Sequence, residues 1–109
     1  MLVGKVKSIV EEDVTFKELR YAKHIFEQGK KEESKEIITK LMNDTNTDLA
    51  EQAHYLNLKW FLTPEDNDPH FLEKCQSYLK EFDKFKIYYQ SSKYINSLDK
   101  NAKIFEKKI

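Results

Sequence analysis

Glycine and proline each occur only twice in this chain of 109 residues, and cysteine only once. So little turn-forming material excludes a fold of many tight hairpins, and it leaves no glycine-rich loop to cradle a phosphate. The lone Cys75 excludes an internal disulfide, which suits a reducing compartment. No apolar run reaches the roughly 18 residues that a membrane-spanning helix requires. Formal net charge is zero, so no global field draws the chain to nucleic acid or to an anionic membrane. The first ten residues mix two lysines with apolar side chains. They lack an adequate apolar stretch and a small-residue cleavage site. The chain therefore reads as cytoplasmic.

What is present favours helix. Hydrophobic residues make up 39% and aromatics 13%, too much apolar material for a disordered chain. Lysine, glutamate and leucine fill long stretches without glycine or proline. The length suits one domain over 1–109 with a modest core. Charge is unevenly placed. Residues 1–68 carry 10 basic and 14 acidic side chains, whereas residues 69–109 carry 9 basic and 5 acidic. Such charge runs on helices ordinarily face solvent.

Hydrophobic spacing divides the chain. Leu2, Val3, Val6, Ile9 and Val10 recur at helical intervals, but β-branching leaves a strand open there. Thr15 with Glu18 forms a capping-box pair for a helix from Phe16 to Gln28, and Gly29 stands at its C′ position. A second helix is expected over Lys31–Met42, with Ser34, Ile37, Ile38 and Leu41 on one face. The polar run Asn43–Asp48 reads as a turn. Thr47 or Asp48 would cap the next helix, which runs to about Leu62 through Leu49, Ala53, Leu56 and Trp60. Pro64 ends it, and Asp68 with Pro69 opens another. Phe71 or Leu72, Cys75, Leu79, Phe82, Phe85 and Tyr89 then keep spacings of three or four. The pattern pauses at Gln90-Ser91-Ser92. Ile95, Leu98, Ala102, Phe105 and Ile109 resume it as a heptad-like seam. Residues 69–109 form either one helix or two, with Ser91 or Ser92 capping the second.

The run Ala22, Ile25, Gly29, Ser34, Ile38 places small residues where two antiparallel helices would touch. It places larger ones where they would fill the groove between. Together with Gly29-Lys30-Lys31-Glu32-Glu33-Ser34, this spacing resembles a tetratricopeptide-type repeat. The resemblance covers 15–42 closely. A degenerate second hairpin over 48–82 is fainter: Leu19, Ala22, Ile25 and Gly29 fall on Ala50, Ala53, Leu56 and Trp60, while Ser34, Ile38 and Leu41 fall on Cys75, Leu79 and Phe82. The family implies a scaffold that binds protein segments, and the helix at 91–109 would cap the array or pair two copies. The family's carboxylate-gripping site uses Lys and Asn on first helices. Here those positions hold Leu19, Lys23, Ala50, Glu51 and His54, so no such clamp is expected.

The chemistry-bearing residues form no recognisable constellation. His24, His54 and His70 lack the spacing of a metal pair, and Cys75 sits on an apolar stripe, where it packs as a small hydrophobe. Glu65-Asp66-Asn67-Asp68 lacks the glycine and terminal glutamate of a calcium loop. Lys80, Lys84, Lys86 and Lys93 interleave with Tyr78, Tyr88, Tyr89 and Tyr94. That pattern either stacks bases and holds phosphates, or packs tyrosines beneath lysine stems; packing is favoured. No catalytic, metal-binding or cofactor-binding residue is assigned.

The resulting expectation is an all-α protein of about five helices in antiparallel hairpins, as a short tetratricopeptide-like array or a helical bundle. Its role would be that of a small non-catalytic adaptor, chaperone or regulator binding a protein or peptide. The binding residues would be Tyr21, His24, Gln28, His54, Tyr55 and Asn57, with Lys23 tuning charge. A homodimer through Ile95, Leu98, Ala102, Phe105 and Ile109 is a further expectation. Two alternatives stand beside it: a helical-bundle inhibitor such as an antitoxin or immunity protein, and nucleic-acid binding through the basic C-terminal part.

Overall fold

The computed structural model describes residues 16–109. The expectations placed on 1–15, including the first apolar segment and the Thr15 cap, lie outside the described residues. Among those described, the fold is all-α, with no strand. Helix α1 covers 16–27, α2 Lys31–Leu41, α3 Thr47–Leu56, α4 Phe71–Tyr88 and α5 Ile95–Lys108. A π-helical segment, Asn57–Leu62, continues directly from α3. No described helix is long and apolar enough to cross a membrane. The chain divides into two compact units, 1–53 and 54–109, with the boundary inside α3.

In the first unit, α1 and α2 form the expected hairpin. Gly29 adopts φ +87°, a conformation that glycine reaches without the steric cost a side chain would bring. Two bonds close the helix end: the Gly29 N–H donates to the Phe26 carbonyl at 3.0 Å, and the Lys30 N–H to the Ile25 carbonyl at 2.9 Å. This pairing is the Schellman arrangement, and it satisfies carbonyls that the helix terminus would otherwise leave open. Beyond the turn, the Ser34 hydroxyl donates to the Ala22 carbonyl at 2.9 Å, and Lys40 lies 3.9 Å from Glu18. Both pairs are placed evenly about the Gly29 turn, which makes the helices antiparallel. Ala22 and Ser34 are completely buried. Leu19, Ile25, Ile38 and Leu41 are buried with them, while Ile37 is only half-buried. In α2, Glu32 and Glu33 sit in the first turn and Lys40 in the last, opposing the helix dipole at both ends.

The turn before α3 differs from expectation. Asn46, rather than Thr47 or Asp48, is the cap: its Oδ1 accepts from the Leu49 N–H at 3.1 Å. The chain is already helical at Thr47, and a cap side chain must sit outside the first helical residue to reach the N–H groups beyond it. Asp44 Oδ1 in turn accepts from the Asn46 N–H at 2.8 Å, which holds the turn ahead of the helix. Leu49, Ala50 and Ala53 are buried.

In the second unit, the helix does not turn at Trp60, where the second hairpin aligned that residue with Gly29. It carries on through the π-helical segment to Leu62. Within this segment Leu58 is buried at 2% exposure because it packs into the core formed with α4 and α5, while Trp60 is only half-buried. The Thr63 hydroxyl donates to the Leu58 carbonyl at 2.8 Å. Thr63 itself is extended, at φ −77° and ψ 112°, as a residue before proline should be. Asp68 and Pro69, expected to open the next helix as its cap and first turn, stand before it. Helix α4 begins at Phe71 with His70 in the cap position and no side-chain cap bond, so Asp68 holds the turn ahead of the helix instead. Its Oδ1 accepts from the His70 N–H at 2.8 Å, and Lys74 pairs with its other oxygen.

Helices α4 and α5 are separate, and they pack along their length. Cys75, Tyr78, Phe82 and Phe85 of α4 meet Leu98, Ala102 and Phe105 of α5, with Leu58 completing the core. The buried row therefore passes through Tyr78 where the pattern placed Leu79, which is half-buried. Phe71 leans on this core, whereas Leu72 is 54% exposed. The Tyr78 hydroxyl donates to the Leu98 carbonyl at 2.9 Å, and the Phe105 ring meets Tyr78 edge-on at 4.9 Å. A buried tyrosine needs such a partner for its hydroxyl. Ser92 arranges the connecting turn by accepting the Tyr94 N–H at 3.2 Å. It stands two residues ahead of the position from which it would cap α5.

Candidate functional site

The residues expected to bind a partner fall into two groups, one in each unit. Tyr21, Lys23, His24 and Gln28 are all exposed on or just after α1. Tyr21 is 52% exposed, a high value for so large an aromatic side chain. The Gln28 N–H still donates to the His24 carbonyl at 3.2 Å, so helical register continues to that residue. Tyr21, His24 and Gln28 follow one another at spacings of three and four and make one stripe. Lys23 does not share it. A separation of two residues turns it roughly 200° round the helix from Tyr21. The cation on the stripe is the exposed Lys17, four residues before Tyr21. That residue was legible in the sequence by the same spacing.

His54, Tyr55 and Asn57 belong to the second unit and are half-buried. They make no single outward face, because each of the first two is drawn to a different tyrosine. The His54 ring lies 5.7 Å from that of Tyr89. Tyr55 stacks on Tyr94, with centroids 4.0 Å apart and planes within 11°. Tyr55 is thus packed within its own unit rather than standing free as an anchor. Lys59 lies 5.7 Å from the centroid of Tyr55, and Lys93 lies 5.4 Å from that of Tyr94. Each such contact contributes about 0.5–1 kcal/mol at an exposed site.

The basic and aromatic residues of the C-terminal part divide sharply. Tyr78 is completely buried, and desolvation pushes its hydroxyl up to about 12. Tyr89 and Tyr94 are half-buried, and Lys86 lies over Phe82 at 4.7 Å. Tyr88 stands apart at 71% exposure, beside Ile87 at 68%. Exposed apolar side chains of this size in one helical turn are the kind of feature that marks an interaction surface.

Three further features are local structure. Cys75 is buried, and desolvation raises its thiol, which keeps it protonated and poorly nucleophilic. An open groove of about 440 Å³ beneath the α2–α3 turn is lined by Glu18, Lys40, Leu41, Asp44, Asn46 and neighbours. Its polar groups are already engaged in the ion pair and cap described above. Among the described residues, no cluster of three histidine, cysteine or carboxylate side chains could hold a metal ion. The exposed apolar side chains of α4 were missed by sequence reasoning, because a helical pattern shows which positions share a face but not which face remains open.

Comparison with protein-family models, curated proteins and solved structures finds no match to this chain.

Proposed function

We propose that the chain is a non-catalytic protein-interaction module, a small cytoplasmic adaptor, chaperone or regulator that binds a protein segment against its helices. The observation carrying this reading is the exposed stripe of α1. Tyr21 is 52% exposed, with His24, Gln28 and Lys17 exposed in line with it. Aromatic side chains held on a rigid helix supply contact area at low entropic cost, and they recur among residues that dominate binding energy. The hairpin beneath supports the reading as well. Its buried Ser34–Ala22 bond and its Gly29 turn hold the stripe on a fixed scaffold. The resemblance to a tetratricopeptide-type unit belongs to this proposal and rests on that one hairpin.

The test is affinity capture from a native lysate at moderate and high salt, comparing the unaltered chain with a Tyr21→Ser/His24→Ala variant. A protein retained at high salt by the first and released by the second supports the reading. Recovery of salt-labile nucleic acid alone overturns it, and equal capture by both chains overturns the assignment of the contact to the α1 stripe.

A further inference from the structure

The last turns of α4 carry a surface that neither the core nor the α1 stripe explains. Lys80, Lys84, Ile87 and Tyr88 lie at spacings of four, three and one, which places them on one stripe of the helix. All four are exposed, and Ile87 and Tyr88 are the most exposed large hydrophobic side chains described, at 68% and 71%. The chain across this tip, residues 84–98, holds three lysines and no carboxylate, and of the three Lys86 is paired with Asp83 at 3.3 Å. Lys84 has an exposed ion pair with Glu81 at 3.2 Å, the kind that water competes for easily. Among the described residues, no carboxylate lies within ion-pair distance of Lys80 or Lys93.

We propose that the α4–α5 tip is a docking site for an acidic peptide segment of a partner protein. An apolar side chain of that segment would sit on Ile87 and Tyr88, and its carboxylates would face Lys80 and Lys84. Charge complementarity identifies the occupant. The apolar pair shares its stripe with Lys80, which has no carboxylate at ion-pair distance among the described residues, and with Lys84, whose Glu81 pair is exposed to water; this favours an acidic partner. A second copy meeting this one tip to tip would bring lysine against lysine. Nucleic acid fits less well. Stacking several bases needs several open ring faces, yet Tyr78 is buried, Tyr55 and Tyr94 cover one another, and Tyr89 is half-buried between His54 and Phe85. Of Tyr55, Tyr78, Tyr88, Tyr89 and Tyr94, only Tyr88 offers an open face, and Ile87 has nothing to offer a base. The inference rests on the protein-binding reading above but not on the α1 stripe.

The experiment is selection of phage-displayed random dodecapeptides on the full chain, with counter-selection on an Ile87→Ser/Tyr88→Ser variant. Recovered peptides are then synthesised with a fluorescent label and titrated by anisotropy. Because the altered side chains are exposed, the variant should keep the circular dichroism of the parent; Lys80→Glu/Lys84→Glu supplies an independent second variant. The expected result is enrichment of aspartate and glutamate around an apolar residue. Affinity should fall about tenfold or more in each variant and weaken with added salt. Three outcomes overturn the proposal: no enrichment, peptides without acidic residues, or affinity unchanged in both variants. If binding is unchanged there but lost in Tyr21→Ser/His24→Ala, the protein-binding reading survives and this site does not. If a labelled oligouridylate binds more tightly than every peptide, both readings fall.

Discussion

Gly29, Ser34 and Tyr78 show how much single side chains decide here. Gly29 has nothing within 4 Å of where a Cβ would stand, so Gly29→Ala probes backbone conformation without a packing clash. The expected cost is about 1 kcal/mol in urea unfolding, from the positive φ alone. Ser34 fills a buried space and donates a bond across the hairpin. Replacing it by alanine should cost about 1 kcal/mol for that bond. Leucine there should cost more, about 1–3 kcal/mol, because two closely approaching helices have no room for it. Tyr78 adds a pH dependence. Desolvation raises its hydroxyl from 10.0 to about 12, so the folded state holds this proton more tightly than the unfolded state. Its contribution is complete below the unfolded value and is lost as pH rises through the folded one. Unfolding free energy should therefore decline between pH 10 and about 12 in the parent, and decline less in Tyr78→Phe.

Caps and register govern the individual elements. Asp68 holds its carboxylate against Lys74 and the His70 N–H. These two bonds, the lysine first, lower its pKa. A depressed folded value means that the contribution is present above the unfolded pKa and disappears as pH falls through the folded one. Asp68→Asn should flatten the acid limb of the stability profile below about pH 4, read by unfolding at a series of pH values. The π-helical segment sets the other element-scale outcome. Leu58, buried in the core with α4 and α5, should cost about 2–5 kcal/mol when cut to alanine. Leu72, more than half exposed, should cost less than about 0.5 kcal/mol. Spacing along the chain gives no reason for Leu58 to rank above Trp60, because the side chains that bury Leu58 come from α4 and α5.

At the scale of the whole chain, each unit is compact in its own right, and the second has its own aromatic core. The heptad-like residues of α5 illustrate the consequence. Leu98, Ala102 and Phe105, expected to pair two copies, are spent on the core beneath α4. Ile95 is half-buried, and only Ile109 of that seam stands exposed. Phe105→Ala should cost about 3–5 kcal/mol. Its unfolding midpoint, like that of the parent, should not move with protein concentration. A midpoint that rises with concentration would show that α5 stabilises an assembly of copies instead.

Much was legible before any tertiary contact was known. The scarcity of glycine and proline, and spacings of three and four, foretold helices. Gly29 marked one helix end and Pro64 another, since these residues act on the backbone of their immediate neighbours. Asp68, expected as a cap, lies in the turn two residues before the His70 cap position, since Pro69 stays outside the helix. The choice of Asn46 over Thr47 was not legible either, because a cap depends on which residue first turns helical, and several polar residues there compete. The candidate surfaces were half legible. Spacing put Tyr21, His24 and Gln28 on one stripe, and it could have replaced Lys23 by Lys17. What only tertiary structure decided was which apolar residues found partners. Tyr78 lies within the α4–α5 core and Tyr88 outside it, and Tyr55 is covered by Tyr94. Local propensity acts through the backbone and can be read along the chain, whereas burial depends on neighbours brought together from distant positions.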